Sequence, residues 1–255
     1  MRVLKGTVSF EATLTDSRLD FPRFEFRRAR HPDIEKIELE SANGTIRATV
    51  HFATVATRQD AERVGAEGFE AVLSELAYDY NLAIENARRT SVALTRVNPI
   101  PDVLEAATGE FVAVGQAVVL AIGLGRANVE TLRTKLERAT PPPGEPMYGL
   151  FRIALCATSP VERFMLLYHV LSALLPDRNG EDSQREVDTF IRREQPGVVE
   201  TPHPRRPWSE TIYSRLRNEL AHRRPGVDLR TTRTEIAAHV GGLVNLAKRA
   251  IELYG

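Results

Sequence analysis

YSRLRNELAH, residues 213–222, has the periodicity of an amphipathic helix. At 100° per residue, four apolar side chains fall on one arc of about 100° that is expected to face a core: Ile212, Tyr213, Leu216 and Leu220. Asn218 and His222 are four residues apart, so we expect them to be neighbours on a surface stripe, and Arg217 projects from the far side of the exposed arc. The segment therefore predicts a helix whose polar face carries an arginine, an asparagine and a histidine.

The residues on both sides of this helix predict further helices and no strand. Ser159-Pro160-Val161-Glu162 combines the spacing of a capping box with a proline at the first helical position. Ser183 with Glu186, and Thr232 with Glu235, have the same spacing. Apolar stripes follow the first and last of these starts: Phe164, Leu167, Tyr168, Leu171 and Leu175, and then Ile236, Val240, Leu243, Ala247 and Ile251. Residues 147–255 therefore predict an all-α bundle of four or five helices.

The first 140 residues predict an α+β domain, with an antiparallel sheet and one long helix. The firmest strands are Ile37–Glu40 and Thr45–Phe52, because Asn43-Gly44 between them supplies the positive φ angles of a tight hairpin. Between residues 59 and 89, apolar side chains recur at three- and four-residue steps up to Ile84, which predicts the long helix. Further strands are predicted at residues 8–14, 91–97 and 111–122. A short helix is predicted to be capped by Asn128 and to end near Ala139.

A proline-rich segment separates the two halves. Residues 141–146 contain four prolines, which remove backbone donors and favour an extended path. The predicted organisation is an α+β domain of unknown role over 1–140, a linker over 141–146, and a helical bundle over 147–255.

Composition excludes several broad classes. The 255 residues are 42% hydrophobic and 27% charged, within the globular range. The formal net charge is zero, so any nucleic-acid site must be a local patch. No apolar run approaches the ~20 residues of a spanning helix, and no secretory leader is evident. Because Cys156 is the only cysteine, an intrachain disulfide is excluded, and this agrees with a location in the reducing cytoplasm. The preference for arginine over lysine favours a bacterial source.

Arg217, Asn218 and His222 resemble the marker of the HEPN superfamily. In that family an arginine is followed four to six residues later by a histidine, commonly with a polar residue directly after the arginine, on a helix of a small bundle. The helix predicted after Ser159 also looks like bacterial members that join a non-helical N-terminal region to such a bundle. Among these, the chain is similar to the uncharacterised proteins encoded near methylamine-utilisation genes. The resemblance covers residues 147–255 and implies a HEPN-like fold there.

For activity, the resemblance implies a metal-independent endoribonuclease. His222 is then the base that accepts the proton of the 2′-hydroxyl group as it attacks the adjacent phosphate, leaving a 2′,3′-cyclic phosphate. Arg217 contacts the phosphoryl oxygens, on which charge accumulates in the transition state. Asn218 orients the imidazole or holds the phosphate. In the family the cleft forms where two bundles pack together, so a homodimer is implied as well.

Local charge also favours an anionic partner such as RNA. From His203 to Arg233 there are eight arginines and three acidic residues, a local charge of +5. The predicted RNA-binding residues are Arg215, Arg223 and Arg224. An alternative remains open, because Arg215, Glu219 and Arg223 have i, i+4 spacing and this spacing also favours ion pairs along a helix surface.

A second function fits the same residues. In a non-catalytic HEPN-like interaction or nucleotide-binding module, Arg217, Asn218 and His222 form an internal polar network, whereas a nuclease needs Arg217 and His222 in an open cleft. The predicted partners are RNA, a second copy of the chain, and a protein partner or antitoxin in a toxin, defence or RNA-processing role. No cofactor or metal is predicted, because the other histidines lack spaced ligands and Gly123-Leu124-Gly125 lacks the third glycine of a dinucleotide fingerprint.

Overall fold

A computed structural model describes residues 3–15, 17–28, 31–97, 120–176, 183–204, 207–222 and 227–255. The chain divides into two compact units, Met1–Pro141 and Pro142–Gly255, so the division falls at the start of the proline-rich segment. The first unit contains a sheet packed by helices, and the second is mainly helical. The N-terminal part is therefore α+β, and helices follow it.

A six-stranded sheet forms the centre of the first unit. Its strands are β1 (Leu4–Thr15), β2 (Ser17–Phe26), β3 (Lys36–Ala42), β4 (Thr45–Val55), β5 (Ala83–Arg96) and β6 (Leu120–Gly123). They are hydrogen-bonded in the order β5-β1-β4-β3-β2-β6. The first five strands pair antiparallel, and β6 pairs parallel with β2. The predicted hairpin is confirmed, because Asn43 and Gly44 join β3 to β4 with φ angles of 55° and 74°.

One long helix, α1 (Arg58–Tyr80), packs on one face of this sheet. Thr57 caps its first turn by accepting a hydrogen bond from the backbone N–H of Asp60. The rings of Phe10 on β1 and Phe69 on α1 stack with centroids 5.5 Å apart. Glycine permits this close packing, since a Cβ atom added at Gly65 would lie only 3.0 Å from the Phe10 ring.

Two predictions for this unit were wrong at element ends. The long helix ends at Tyr80, because Asn81 adopts a left-handed conformation and its N–H bonds to the carbonyl of Ala77. Residues 83–90, partly predicted as helix, belong to β5 instead. Helix α2 (Arg126–Leu136) starts after Gly125, so Asn128 lies inside the helix and does not cap it. Of the strand predicted at 111–122, residues 111–119 lie outside the described ranges.

Five helices and one short hairpin make up the described part of the second unit. They are α3 (Glu145–Cys156), α4 (Pro160–Leu174), α5 (Gln184–Glu194), β7 (Glu200–Pro202), β8 (Ser209–Thr211), α6 (Ile212–His222) and α7 (Leu229–Tyr254). Helix α4 packs against α3 and α7, and α6 contacts α4, α7 and both strands of the hairpin. None of the helices within the described ranges is long and apolar enough to cross a membrane.

Sequence signals located the starts of two helices in this unit, α4 and α5. Helix α4 begins at Pro160 and α5 follows Ser183, whose hydroxyl accepts from the N–H of Glu186, as predicted. Helix α7 instead begins after Asp228, which caps it, and Thr232 is a buried residue inside the first turns. The β7-β8 hairpin was not predicted, because each strand has only three residues. Helix α3 starts at Glu145, within the predicted linker.

Replacing a single glycine in β1 is expected to destabilise the first unit. Gly6 has a φ of +144°, and an added Cβ atom would overlap the backbone carbonyl of Ala93 on β5. We therefore expect Gly6→Ala to lower the free energy of unfolding by more than about 2 kcal/mol, measured by urea denaturation. Gly44→Ala is the matched control. The φ angle of Gly44 is also positive, at +74°, but no atom lies within 4 Å of an added Cβ atom, so we expect the free energy of unfolding to fall by only about 1 kcal/mol. Equal losses in the two variants would contradict the steric argument.

Candidate functional site

Two buried hydrogen bonds between α5 and β8 fix the start of α6. Asp188, 1% exposed, accepts from both the backbone N–H and the hydroxyl of Thr211, at 3.0 and 2.6 Å. The Thr211 hydroxyl oxygen in turn accepts from the N–H of Ser214 at 3.4 Å, in the manner of an N-cap. Because Asp188 belongs to α5, this contact ties the first turn of α6 to a neighbouring helix.

Asn218 lies inside the bundle, not on the surface stripe that the helical wheel predicts. It is 4% exposed, and its side-chain nitrogen donates to Gln184 Oε1 at 2.9 Å and to Glu210 Oε2 at 3.0 Å. The Gln184 nitrogen donates to the same Glu210 oxygen at 3.2 Å and to Asp188 Oδ2 at 3.5 Å. Two amides and two carboxylates therefore form one polar network beneath α6.

The carboxylates of this network decide which way each amide points. Glu210 Oε2 accepts a hydrogen bond from each amide, so it faces the nitrogen end of both Gln184 and Asn218. Reversing Asn218 would place its Oδ1 atom against the Glu210 carboxylate. The oxygen end of Asn218 is consequently directed away from Glu210, toward the position that Arg217 occupies.

Arg217 is held by two neutral groups. Its Nη1 atom donates to Asn218 Oδ1 at 3.0 Å, and its Cζ atom lies 5.9 Å from the centroid of the Tyr168 ring on α4. The residue is half-buried, and among the described residues no carboxylate lies within ion-pairing distance of it. The guanidinium is therefore oriented while its charge is not neutralised by a direct ion pair, which is the state that suits an anionic ligand.

Tyr168 contacts both Arg217 and Ser214. Its hydroxyl and that of Ser214 are 2.8 Å apart, which links α4 to the first turn of α6. Burial raises the pKa of Tyr168 far above its ordinary value, so the phenol stays neutral at physiological pH. A neutral ring beneath Arg217 supports the guanidinium without adding an opposing charge.

The other predicted site residues are placed differently. Arg215 donates to Glu219 at 2.6 Å and also pairs with Glu235 on α7. Burial opposes the charge of Arg215, but its hydrogen bonds to Glu235 and Glu219 outweigh this and raise its pKa. These contacts favour the ion-pair alternative for Arg215. Arg223 and Arg224 lie outside the described residues, as does the side chain of His222, the last residue of α6.

The structure adds site residues that the sequence alone did not indicate, namely Tyr168, Gln184, Asp188 and Glu210. One signal was present, because Glu210, Ser214, Asn218 and His222 recur at intervals of four residues. Such a polar stripe indicates an internal network when neighbouring elements supply the partners.

A second polar region lies in the first unit. The face of its sheet opposite α1 holds a cavity of about 310 Å³ with a charged lining. These charges are paired: Glu11 with Arg88 at 2.6 Å, Glu40 with Arg47 at 3.8 Å, and Glu38 with Arg23. Within the described ranges, no group of three metal-ligating side chains is found in either unit. The Arg217 network thus remains the candidate site.

Comparison of the chain with protein-family models, with curated proteins and with solved structures finds no match.

Proposed function

We propose that the chain is a HEPN-like, metal-independent endoribonuclease that acts through Arg217 and His222. The observation that carries the proposal is the state of Arg217, which is oriented by Asn218 and Tyr168 and has no carboxylate partner among the described residues. A guanidinium in this state has donors to offer to phosphoryl oxygens, and charge on those oxygens increases in the transition state.

The chemistry follows from the two side chains. His222 accepts the proton of the 2′-hydroxyl group, whose oxygen forms a bond to the adjacent phosphorus while the bond to the 5′-oxygen breaks and that oxygen takes up a proton from solvent. Arg217 binds the non-bridging oxygens during this transfer. The contacts of Asn218 support a role in positioning Arg217, since Asn218 is 4% exposed and its oxygen accepts from that arginine. The predicted homodimer is part of the proposal, because in the family the cleft lies between two bundles.

One observation favours a second candidate, a non-catalytic interaction or nucleotide-binding module. Asn218 is buried and bonded within the bundle, as expected for a motif whose residues form an internal network. Arg217, in contrast, is only half-buried, and it lacks a carboxylate partner within the described ranges. The exposure of Arg217 is the reason for preferring the nuclease.

The decisive experiment is cleavage of a mixed RNA pool by the purified full chain in EDTA, with the product ends mapped. The nuclease is expected to cut under these conditions and to leave 2′,3′-cyclic phosphate ends, because an internal nucleophile and a histidine base need no metal. Products with 3′-hydroxyl ends would contradict attack by the 2′-hydroxyl group. Absence of cleavage at every protein concentration would favour the module.

A further inference from the structure

The buried carboxylate of Glu210 is connected to Arg217 by a chain of hydrogen bonds that runs through Asn218. Glu210 is 0% exposed and accepts from the amides of Gln184 and Asn218, and the oxygen of Asn218 then accepts from Arg217. We propose that Glu210 is a positioning residue which, through Asn218, holds the Arg217 guanidinium in the orientation that receives an anion. Glu210 itself does not contact the ligand in this proposal.

The cost of burying Glu210 argues for a specific role. Removing a carboxylate from water costs several kcal/mol unless its hydrogen bonds replace those of water. An apolar residue at this position would avoid that cost but would remove one hydrogen-bond acceptor from each amide. Because each end of an amide forms hydrogen bonds, Asn218 alone has two orientations, and the Glu210 oxygen that accepts from its nitrogen selects the one whose oxygen faces Arg217.

The charge of Glu210 predicts a kinetic signature that ordinary destabilisation does not produce. Glu210 and Arg217 both act electrostatically on the Tyr168 hydroxyl, so they belong to one electrostatic neighbourhood. Glu210→Gln removes a negative charge near the proposed phosphate position, which favours RNA binding, and at the same time releases the orientation of Asn218. We therefore expect kcat to fall about tenfold while KM is unchanged or lower.

The orientation itself is measured directly by NMR, without any RNA. In the wild type, the Nε–H resonance of Arg217, assigned by its loss in Arg217→Lys, is expected to be displaced by the ring current of Tyr168. In Glu210→Gln this resonance is expected to move toward the position of a free arginine. An Arg217 resonance that is already at the free position in the wild type, or that does not move in the variant, would overturn the inference.

The kinetic measurement rests on the proposed function, whereas the NMR measurement does not. If the wild type cleaves no RNA, the proposed nuclease fails, and the displacement of the Arg217 resonance still decides the positioning role. If the wild type cleaves RNA but Glu210→Gln has wild-type kcat and an unmoved resonance, the positioning role fails and the nuclease stands.

Glu219→Gln is the matched control for burial and charge. Glu219 lies on the same helix as Asn218, is 5% exposed, and bonds to Arg215 and Thr232 instead of Asn218. It is expected to lower stability but to leave the Arg217 resonance in place, and movement in both variants would contradict the proposal. If Glu210→Gln does not fold, Asn218→Ser tests the same chain of contacts, because it removes the amide through which Glu210 acts on Arg217 and leaves Glu210 bonded to Gln184. An unmoved Arg217 resonance in Asn218→Ser would then overturn the inference.

Discussion

Replacing Arg217 with alanine is expected to lower kcat/KM for RNA cleavage by about 10²- to 10³-fold, the usual effect of removing a donor that stabilises charge in a transition state. The structure gives the reason, because Arg217 has no carboxylate partner among the described residues and is oriented by Asn218 and Tyr168. Its removal leaves no buried anion directly unpaired, so the fold is expected to persist. Initial rates on a labelled oligoribonucleotide, with folding checked by circular dichroism, measure the effect.

Arg217→Lys separates the charge of Arg217 from its geometry. Lysine retains the positive charge but not the planar fork, and it stacks less well on a tyrosine ring, so a loss of at least about tenfold is expected. The control is Arg249→Ala, which removes an exposed arginine on α7 that pairs with Glu194 and Glu252. Its rate is expected to stay within about twofold of the wild type. A wild-type rate in Arg217→Ala would remove Arg217 from the mechanism.

The parts of the fold that local chemistry determines were predictable. Asn43-Gly44 predicts its hairpin because two adjacent residues with positive φ angles restrict the chain to a tight turn. The starts of α4 and α5 are also local, since capping and proline act within a few residues. Strand β2 was not predicted, because its alternation is interrupted by Pro22 and by a register shift between Phe21 and Phe24.

The end of α1 shows how periodicity misleads at a boundary. Ile84 follows Tyr80 by four residues and thus continues the helical pattern. In the structure, however, Ile84 belongs to β5, and its side chain enters the core from that strand. The decisive residue is Asn81, which tolerates a left-handed conformation better than most residues do. Its position within an apolar pattern gave no reason to prefer a stop there over a helical residue.

The motif of the candidate site was predictable, but its environment was not. A helical wheel assumes one buried face, whereas α6 is contacted by α4, α7 and the β7-β8 hairpin. The buried surface therefore extends to Ser214, Asn218 and Glu219, while Leu220 is only half-buried. The partners of Asn218 lie 34 and 8 residues away along the chain, at Gln184 and Glu210, so tertiary structure was needed to identify them.

His222→Ala is expected to lower the rate of RNA cleavage by about 10²- to 10⁴-fold, because a positioned base supplies that range of acceleration. His222 ends α6, the same helix whose first turn is tied to Asp188 and which carries Arg217 five residues earlier. The histidine and the arginine therefore belong to one helix, and loss of either side chain is expected to leave that helix folded.

His169→Ala is the control for this last prediction. His169 is an exposed histidine on α4, in the same unit, so its loss tests the general effect of removing an imidazole. Its rate is expected to equal that of the wild type. The double variant Arg217→Ala with His222→Ala adds a further criterion, because residues that act in one transition state are strongly non-additive. Single and double variants that lose activity to a similar extent would place both residues in one step, whereas fully multiplicative losses would indicate that they act independently.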